Sequence, residues 1–144
     1  MNRGILQRVT EPTDWVSLMD IVEKKNGSLR ICIDPRPLNK ALKREHYKLP
    51  TLDDVLPKFR EAKMFTKLDV KEAFWHIKLD EEVSMLTTMI TPFGRVRWTR
   101  LPFGLNVSSE IFQRHLTTAI DDLGIVNVAD DLLVISNGST DEEA

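Results

Sequence analysis

The sequence predicts an α+β domain whose antiparallel sheet carries acidic residues at its strand ends, and three observations support that expectation. The stretch from Ile125 to Ser136 sets two adjacent carboxylates, Asp130 and Asp131, inside an apolar run rich in β-branched residues. Such a run reads as two strands of a buried sheet with the acids at or near the bend between them. Met64 to Val70 is a second short apolar segment, and it delivers Asp69 near its end. From Ser108 onward, Ile111, Phe112, Leu116, Ala119, Ile120 and Leu123 follow a helical spacing that Gly124 closes, with Gln113 on the edge of that inner stripe.

The acids invite a chemical reading. A turn selected for geometry alone would use Asn-Gly or another glycine pair, and no glycine lies in this run. Two carboxylates beside a hydrophobic core repel each other and lose solvation, a cost that a divalent cation would offset. An ordinary acidic turn also accounts for the pair taken alone. Asp69 in a similar setting shifts the balance, because three acids from two strand ends could face one another. Hard cations prefer oxygen ligands, and two of them about 4 Å apart can clamp the attacking and leaving oxygens of a phosphoryl transfer.

Composition bounds the rest. A chain of 144 residues that is 42% hydrophobic suits one folded domain with an ordinary core. Its net charge of −2 supplies no overall attraction to nucleic acid, so any such binding must come from local basic patches. Cys32 is the single cysteine, which excludes an internal disulfide and a cysteine zinc site, and it reads as a small core residue. The first residues lack the apolar run of a signal peptide, and no stretch approaches the roughly eighteen apolar residues of a membrane span. The expectation is an intracellular soluble chain with no membrane partner. Thr140 to Glu143 resembles a capping box for a helix that would begin where the chain stops, so the chain reads as cut.

In chain order, Trp15 to Glu23 and Leu29 to Asp34 are β-rich segments around Lys24-Lys25-Asn26-Gly27-Ser28, a hairpin with lysines at its tip. Those lysines could simply protect a solvated strand edge. They could also form a basic finger that closes on phosphate, with Arg30 gripping its oxygens in a planar fork. Pro35 to Lys40 allows only a short helical turn, and Lys40, Lys43, Arg44, His46 and Lys48 follow as the most basic part of the chain, either a solvated face or a nucleic-acid surface. Thr51 can cap a helix carrying Leu52, Val55, Leu56 and Phe59, with a break expected at Pro57. Lys71 to Leu79 suits a turn or two of helix and a short strand. Met85 to Thr91 and Arg95 to Leu101 read as strands joined through Pro92-Phe93-Gly94, the second offering a basic, partly aromatic surface with Arg95, Arg97 and Thr99 on one face and Val96, Trp98 and Arg100 on the other.

Four segments together carry a family resemblance. Phe65-Thr66-Lys67-Leu68-Asp69-Val70-Lys71-Glu72-Ala73-Phe74-Trp75, then Leu101-Pro102-Phe103-Gly104-Leu105-Asn106 with Phe112-Gln113-Arg114, and Val128-Ala129-Asp130-Asp131 resemble three successive motifs of reverse transcriptases. Arg30 to Lys40 resembles a fourth, and the Leu-Pro-Phe-Gly form is most similar to gypsy-type LTR retrotransposons. In order and at suitable spacing, four motifs are far more specific than any one.

The resemblance implies the fingers and palm of a right-hand polymerase, with an antiparallel palm sheet packed on helices and no thumb. Residues 1–62 would be approximately fingers and 63–144 mostly palm, with a fingers insertion near 80–103. It implies RNA- and DNA-templated DNA synthesis with two Mg²⁺ ions, or Mn²⁺ in their place, held by Asp69, Asp130, Asp131 and the carbonyl of Val70. Lys25, or its neighbour Lys24, and Arg30 would meet the triphosphate of a dNTP. Phe74 would pack under the sugar and reject ribonucleotides. Gly104 and Gln113 would lie beside the incoming nucleotide, and Asp34, Arg36 and Asn39 along the template path. Implied partners are a primed RNA or DNA template and the thumb, RNase H and integrase regions of a Pol polyprotein, in the cytoplasm or a virus-like particle with access to the nucleus. Val128 stands where most relatives carry Tyr, and Ser109-Glu110 where a small residue and Pro or Ala is usual. An alternative implied function is a polymerase-derived piece that folds and binds nucleic acid without extending primers. An unrelated α+β metal-binding or regulatory domain is the third reading.

Overall fold

A computed structural model describes residues 3–44, 46–48, 50–128 and 131–136. In chain order these form β1 (Leu6–Arg8), β2 (Ser17–Glu23), β3 (Leu29–Asp34), α1 (Arg36–Ala41), α2 (Leu52–Val55), β4 (Met64–Asp69), α3 (Glu81–Leu86), β5 (Met89–Thr91), β6 (Gly94–Trp98), α4 (Ser108–Ile120), β7 (Ile125–Val128) and β8 (Asp131–Ser136). Single 3₁₀ turns occupy Leu56–Phe59, Ala73–His76 and Asp121–Leu123. The chain divides into two compact units, one of Met1–Glu45 with Glu72–Ser109 and the other of His46–Lys71 with Glu110–Ala144.

The first unit is built on a sheet of order β1-β6-β5-β2-β3, antiparallel except where β2 runs parallel to β5. The hairpin between β2 and β3 turns through Gly27 at φ 78, while the Asn26 side chain accepts from the Ser28 N–H at 3.1 Å. The strand period of two puts Met19 and Ile33 opposite each other on one face. There Ile33, Met89, Val96 and Trp98 form the core, with Ile5, Leu6, Trp75, Leu79 and Leu105 packed around them. Cys32 is buried on β3, and burial pushes its thiol pKa up.

Two expectations need correction here. Met85 and Leu86 are helical, not strand: Asp80 accepts from the Val83 N–H at 2.8 Å and caps α3, with Glu81 and Glu82 complementing its N-terminal dipole. The Asp-Glu-Glu signal lay in the sequence beside an apolar segment that resembles a strand. The aromatic side of β6 is also no surface, since Val96 and Trp98 are 3% and 1% exposed. On the other face, Arg97 donates to Gln7 at 2.9 Å and Glu81 at 3.2 Å, and Arg95 donates to Thr13, so both arginines are engaged within the unit.

The second unit carries a sheet of order β4-β8-β7. Both outer strands run antiparallel to β8 and hence parallel to each other, with α4 lying between them in sequence. That is a split βαβ arrangement. Thr51 and Asp54 form the capping box of α2, and the helix passes into a 3₁₀ turn at Pro57, which lacks the N–H an α-helix needs. The apolar stripe expected on α4 is only partly covered: the buried positions of that helix are Ser108, Glu110 and Gln113, while Leu123 beyond its end is 64% exposed. Spacing identified the helix, whereas burial depends on which neighbours reach each turn. The expected capping box at 140–143 lies outside the described residues.

The α2 cap makes a pH prediction. Hydrogen bonds from the Thr51 N–H and hydroxyl, then Lys48 at 3.4 Å, hold the Asp54 carboxyl below its usual range. A depressed carboxylate contributes stability that is present above its unfolded value and lost as pH falls through the folded one. Thermal melts should therefore show a loss below about pH 4 that is shallower in Asp54→Asn. Parallel pH profiles of the two proteins would remove the cap's role.

Candidate active site

In the second unit the sheet sets two of the expected acids side by side. Asp69 ends β4 and Asp131 begins β8, and the antiparallel register makes them direct cross-strand partners. Directly opposed like charges are destabilising unless something offsets them. Lys67, two residues before Asp69 and on the same side of β4, reaches Asp131 at 2.9 Å. The hydrogen bond and charge of Asp131, reinforced by the charge of Asp69, raise the Lys67 pKa. An ammonium on a carboxylate pair is the local sign of a cation-seeking site. Asp69 is exposed and Asp131 half-buried, so both present oxygens to solvent. Two hard oxygen donors on paired strands fit a divalent cation. Asp130 lies outside the described residues, and among those described no group of three or more His, Cys, Asp or Glu forms a ready metal cluster. Val70 follows β4, half-buried, and Gln113 is buried on α4, donating to the Thr117 hydroxyl at 3.2 Å.

The first unit gathers another group of expected residues around Phe103. The Arg30 guanidinium lies 4.3 Å from the centroid of that ring, and its buried Nε has no hydrogen-bond partner among the described residues. Phe74 packs against Phe103 at 4.7 Å with the rings tilted by 37°, and Trp75 meets it edge-on at 6.4 Å. Phe103 thus fixes the cation and the aromatic ring together, a role that the Leu-Pro-Phe-Gly motif does not reveal in the sequence. The backbone beside it is pinned as well: the Ile33 N–H donates to the Phe103 carbonyl at 3.0 Å, and Asn39 donates to the Gly104 carbonyl at 3.1 Å while accepting from the Asn106 N–H at 3.0 Å. Asn39 therefore braces the loop. Asp34 and Arg36 pair with each other at 3.0 Å, leaving the arginine largely exposed. Lys24 and Lys25 sit exposed at the hairpin tip.

Acids paired on an antiparallel sheet in one unit, and a lysine-tipped hairpin with Arg30 in the other, are the donor types that phosphoryl-transfer proteins use. Residues 22–144 match the family model described as reverse transcriptase (RNA-dependent DNA polymerase), and the chain belongs to that family. It is 34% identical over 121 residues to the enzymatic polyprotein of Figwort mosaic virus (strain DxS), covering 83% of this chain and 18% of that protein. Against the retrovirus-related Pol polyprotein from transposon 412 of Drosophila melanogaster it is 36% identical over 142 residues, covering 91% of this chain and 12% of that protein. The chain thus spans under a fifth of the length of either relative. Its fold matches the structure of the foamy viral protease-reverse transcriptase in complex with ds DNA, with a TM-score of 0.83 at 20% identity over 95% of this chain and 24% of that one. The fold is that of reverse transcriptase fingers and palm.

Proposed function

We propose that this chain is the fingers and palm of an RNA- and DNA-directed DNA polymerase from a gypsy-type retroelement, with residues 1–62 approximately fingers and 63–144 mostly palm around a fingers insertion near 80–103. The observation that carries the reading is the cross-strand pairing of Asp69 with Asp131 at the end of a three-stranded antiparallel sheet. Likeness to transposon 412 and the Leu-Pro-Phe-Gly segment support the element type. In this reading Asp69, Asp130, Asp131 and the Val70 carbonyl would hold divalent cations, Mg²⁺ or Mn²⁺. Bound there, such cations would acidify a primer 3′-hydroxyl and neutralise charge on the transferred phosphoryl group.

The remaining residues bind and orient. The primer 3′-hydroxyl loses its proton to solvent as its oxygen bonds to the α-phosphorus of a dNTP, and the bond from that phosphorus to the bridging oxygen breaks so that pyrophosphate leaves. Arg30 and Lys25 neutralise the triphosphate, Gly104 and Gln113 border the nucleotide, and Asp34, Arg36 and Asn39 line the template path. Catalysis of this kind is mostly positioning and charge neutralisation. The duplex DNA in the foamy viral structure supports a primed template as partner. Primer extension on RNA and DNA templates, by this chain and by a longer chain carrying the following polyprotein segments, tests the proposal. Extension by the longer chain alone would favour a piece that folds and binds without turnover; extension by neither would sink the reading.

The Phe74 ring makes a second test available. Phe74→Ala should raise ribonucleotide incorporation by about tenfold or more, because a steric block disappears with the ring while dNTP contacts elsewhere persist. Discrimination equal to the parent in an active variant would place the gate elsewhere.

A further inference from the structure

We propose that Arg3 is a positioning residue for sugar selection: it holds Glu72 in a left-handed conformation and so fixes the 3₁₀ turn that presents Phe74. The inference rests on the polymerase reading and on Phe74 as the sugar-facing ring. Glu72 has φ 54 and ψ 41, a region that side chains with a Cβ adopt reluctantly. It immediately precedes the turn Ala73–His76, in which the Trp75 N–H donates to the Glu72 carbonyl at 2.9 Å and the Ile77 N–H to the Phe74 carbonyl at 3.1 Å. The backbone angle at Glu72 therefore decides where the Phe74 ring meets Phe103.

Arg3 is placed to hold that angle. Its Nη1 donates to Glu72 Oε1 at 2.8 Å and its Nη2 to Oε2, a planar fork on the carboxylate. The guanidinium carbon also lies 5.3 Å from the centroid of the Trp75 ring. The arm is anchored in turn: Gly4 turns at φ 67, the Thr99 hydroxyl donates to the Gly4 carbonyl, the Thr99 N–H donates to the Ile5 carbonyl at 2.9 Å, and Leu6 pairs with Trp98. A single exposed ion pair does little on its own. A forked pair that also stacks on the indole of the turn it restrains is different, and lysine, a point charge, supplies neither the two-pronged fork nor a flat face to stack.

The experiment uses a longer, primer-extending chain and compares kcat/KM for dNTP and rNTP addition in the parent, Arg3→Ala, Arg3→Lys, Glu72→Gly and the Arg3→Ala/Glu72→Gly pair, each checked for folding by melting. Both Arg3 variants should lose about threefold to tenfold in discrimination, chiefly through a lower KM for ribonucleotide. In the Glu72→Gly background, Arg3→Ala should add nothing, since glycine takes the left-handed angle unaided and the carboxylate is gone. A purely structural strap would lower melting temperature and leave the ratio unchanged. Discrimination within about twofold of the parent in the folded Arg3→Lys protein, or a full Arg3→Ala effect on top of Glu72→Gly, would overturn the inference alone. A parent chain that adds no dNTP would overturn the polymerase reading itself, and this inference with it.

Discussion

Asp69→Asn and Asp130→Asn should each abolish primer extension in a longer chain that otherwise extends, a loss of about a thousandfold or more if the lost cation site removes several kcal/mol of transition-state stabilisation. The amide keeps the shape of the carboxylate and loses the charge that would hold the proposed cation. Melting separates this from damage to the fold. Asp69 faces Asp131 across the strand pair, so neutralising it relieves a like-charge contact and the melting temperature should not fall. Lys25→Ala should instead weaken dNTP binding a few-fold with turnover retained, because Lys24 adjoins it and, in the proposed role, Arg30 would still reach the phosphates. Full activity in a folded Asp130→Asn protein would remove the cation assignment and return the acidic hairpin to an ordinary turn.

Gly104→Ala should be the most damaging substitution for stability among the described glycines. Its φ is +114, and an added Cβ would lie 1.9 Å from the Ile33 carbonyl oxygen, which belongs to the backbone of the core strand β3 and cannot swing away. The loop would have to lift from β3, breaking the Ile33 to Phe103 and Asn39 to Gly104 hydrogen bonds. A loss of about 3 kcal/mol or more follows from backbone strain and two lost hydrogen bonds, or roughly 10 °C in Tm. Gly94→Ala is the matched control: its φ is +107, but nothing lies within 4 Å of the added Cβ. It should cost only about 1 kcal/mol of conformational strain. Equal melting of the two variants would show that close approach to Ile33 is unimportant.

The sequence by itself determined the elements with strong local signals. The Asn26-Gly27 hairpin, the Thr51 cap with its break at Pro57, α4 followed by the 3₁₀ turn that Gly124 closes, and the strands around the acids all follow from turn chemistry, capping and apolar period, which act over a few residues. The same locality placed Asp69 and Asp131 at strand ends and made them candidates. Only the tertiary structure decided that these two are register partners with Lys67 laid on Asp131, that β1 adds to the edge at β6, that Trp98 lies inside, and that Arg30, Phe74 and Phe103 stack. Residues 3 and 72, or 30 and 103, have no pattern linking them along the chain. Their contacts arise because a sheet register or a pinned loop brings distant backbone together, and a side chain's role as brace, core or ligand depends on what then stands within a few ångströms of it.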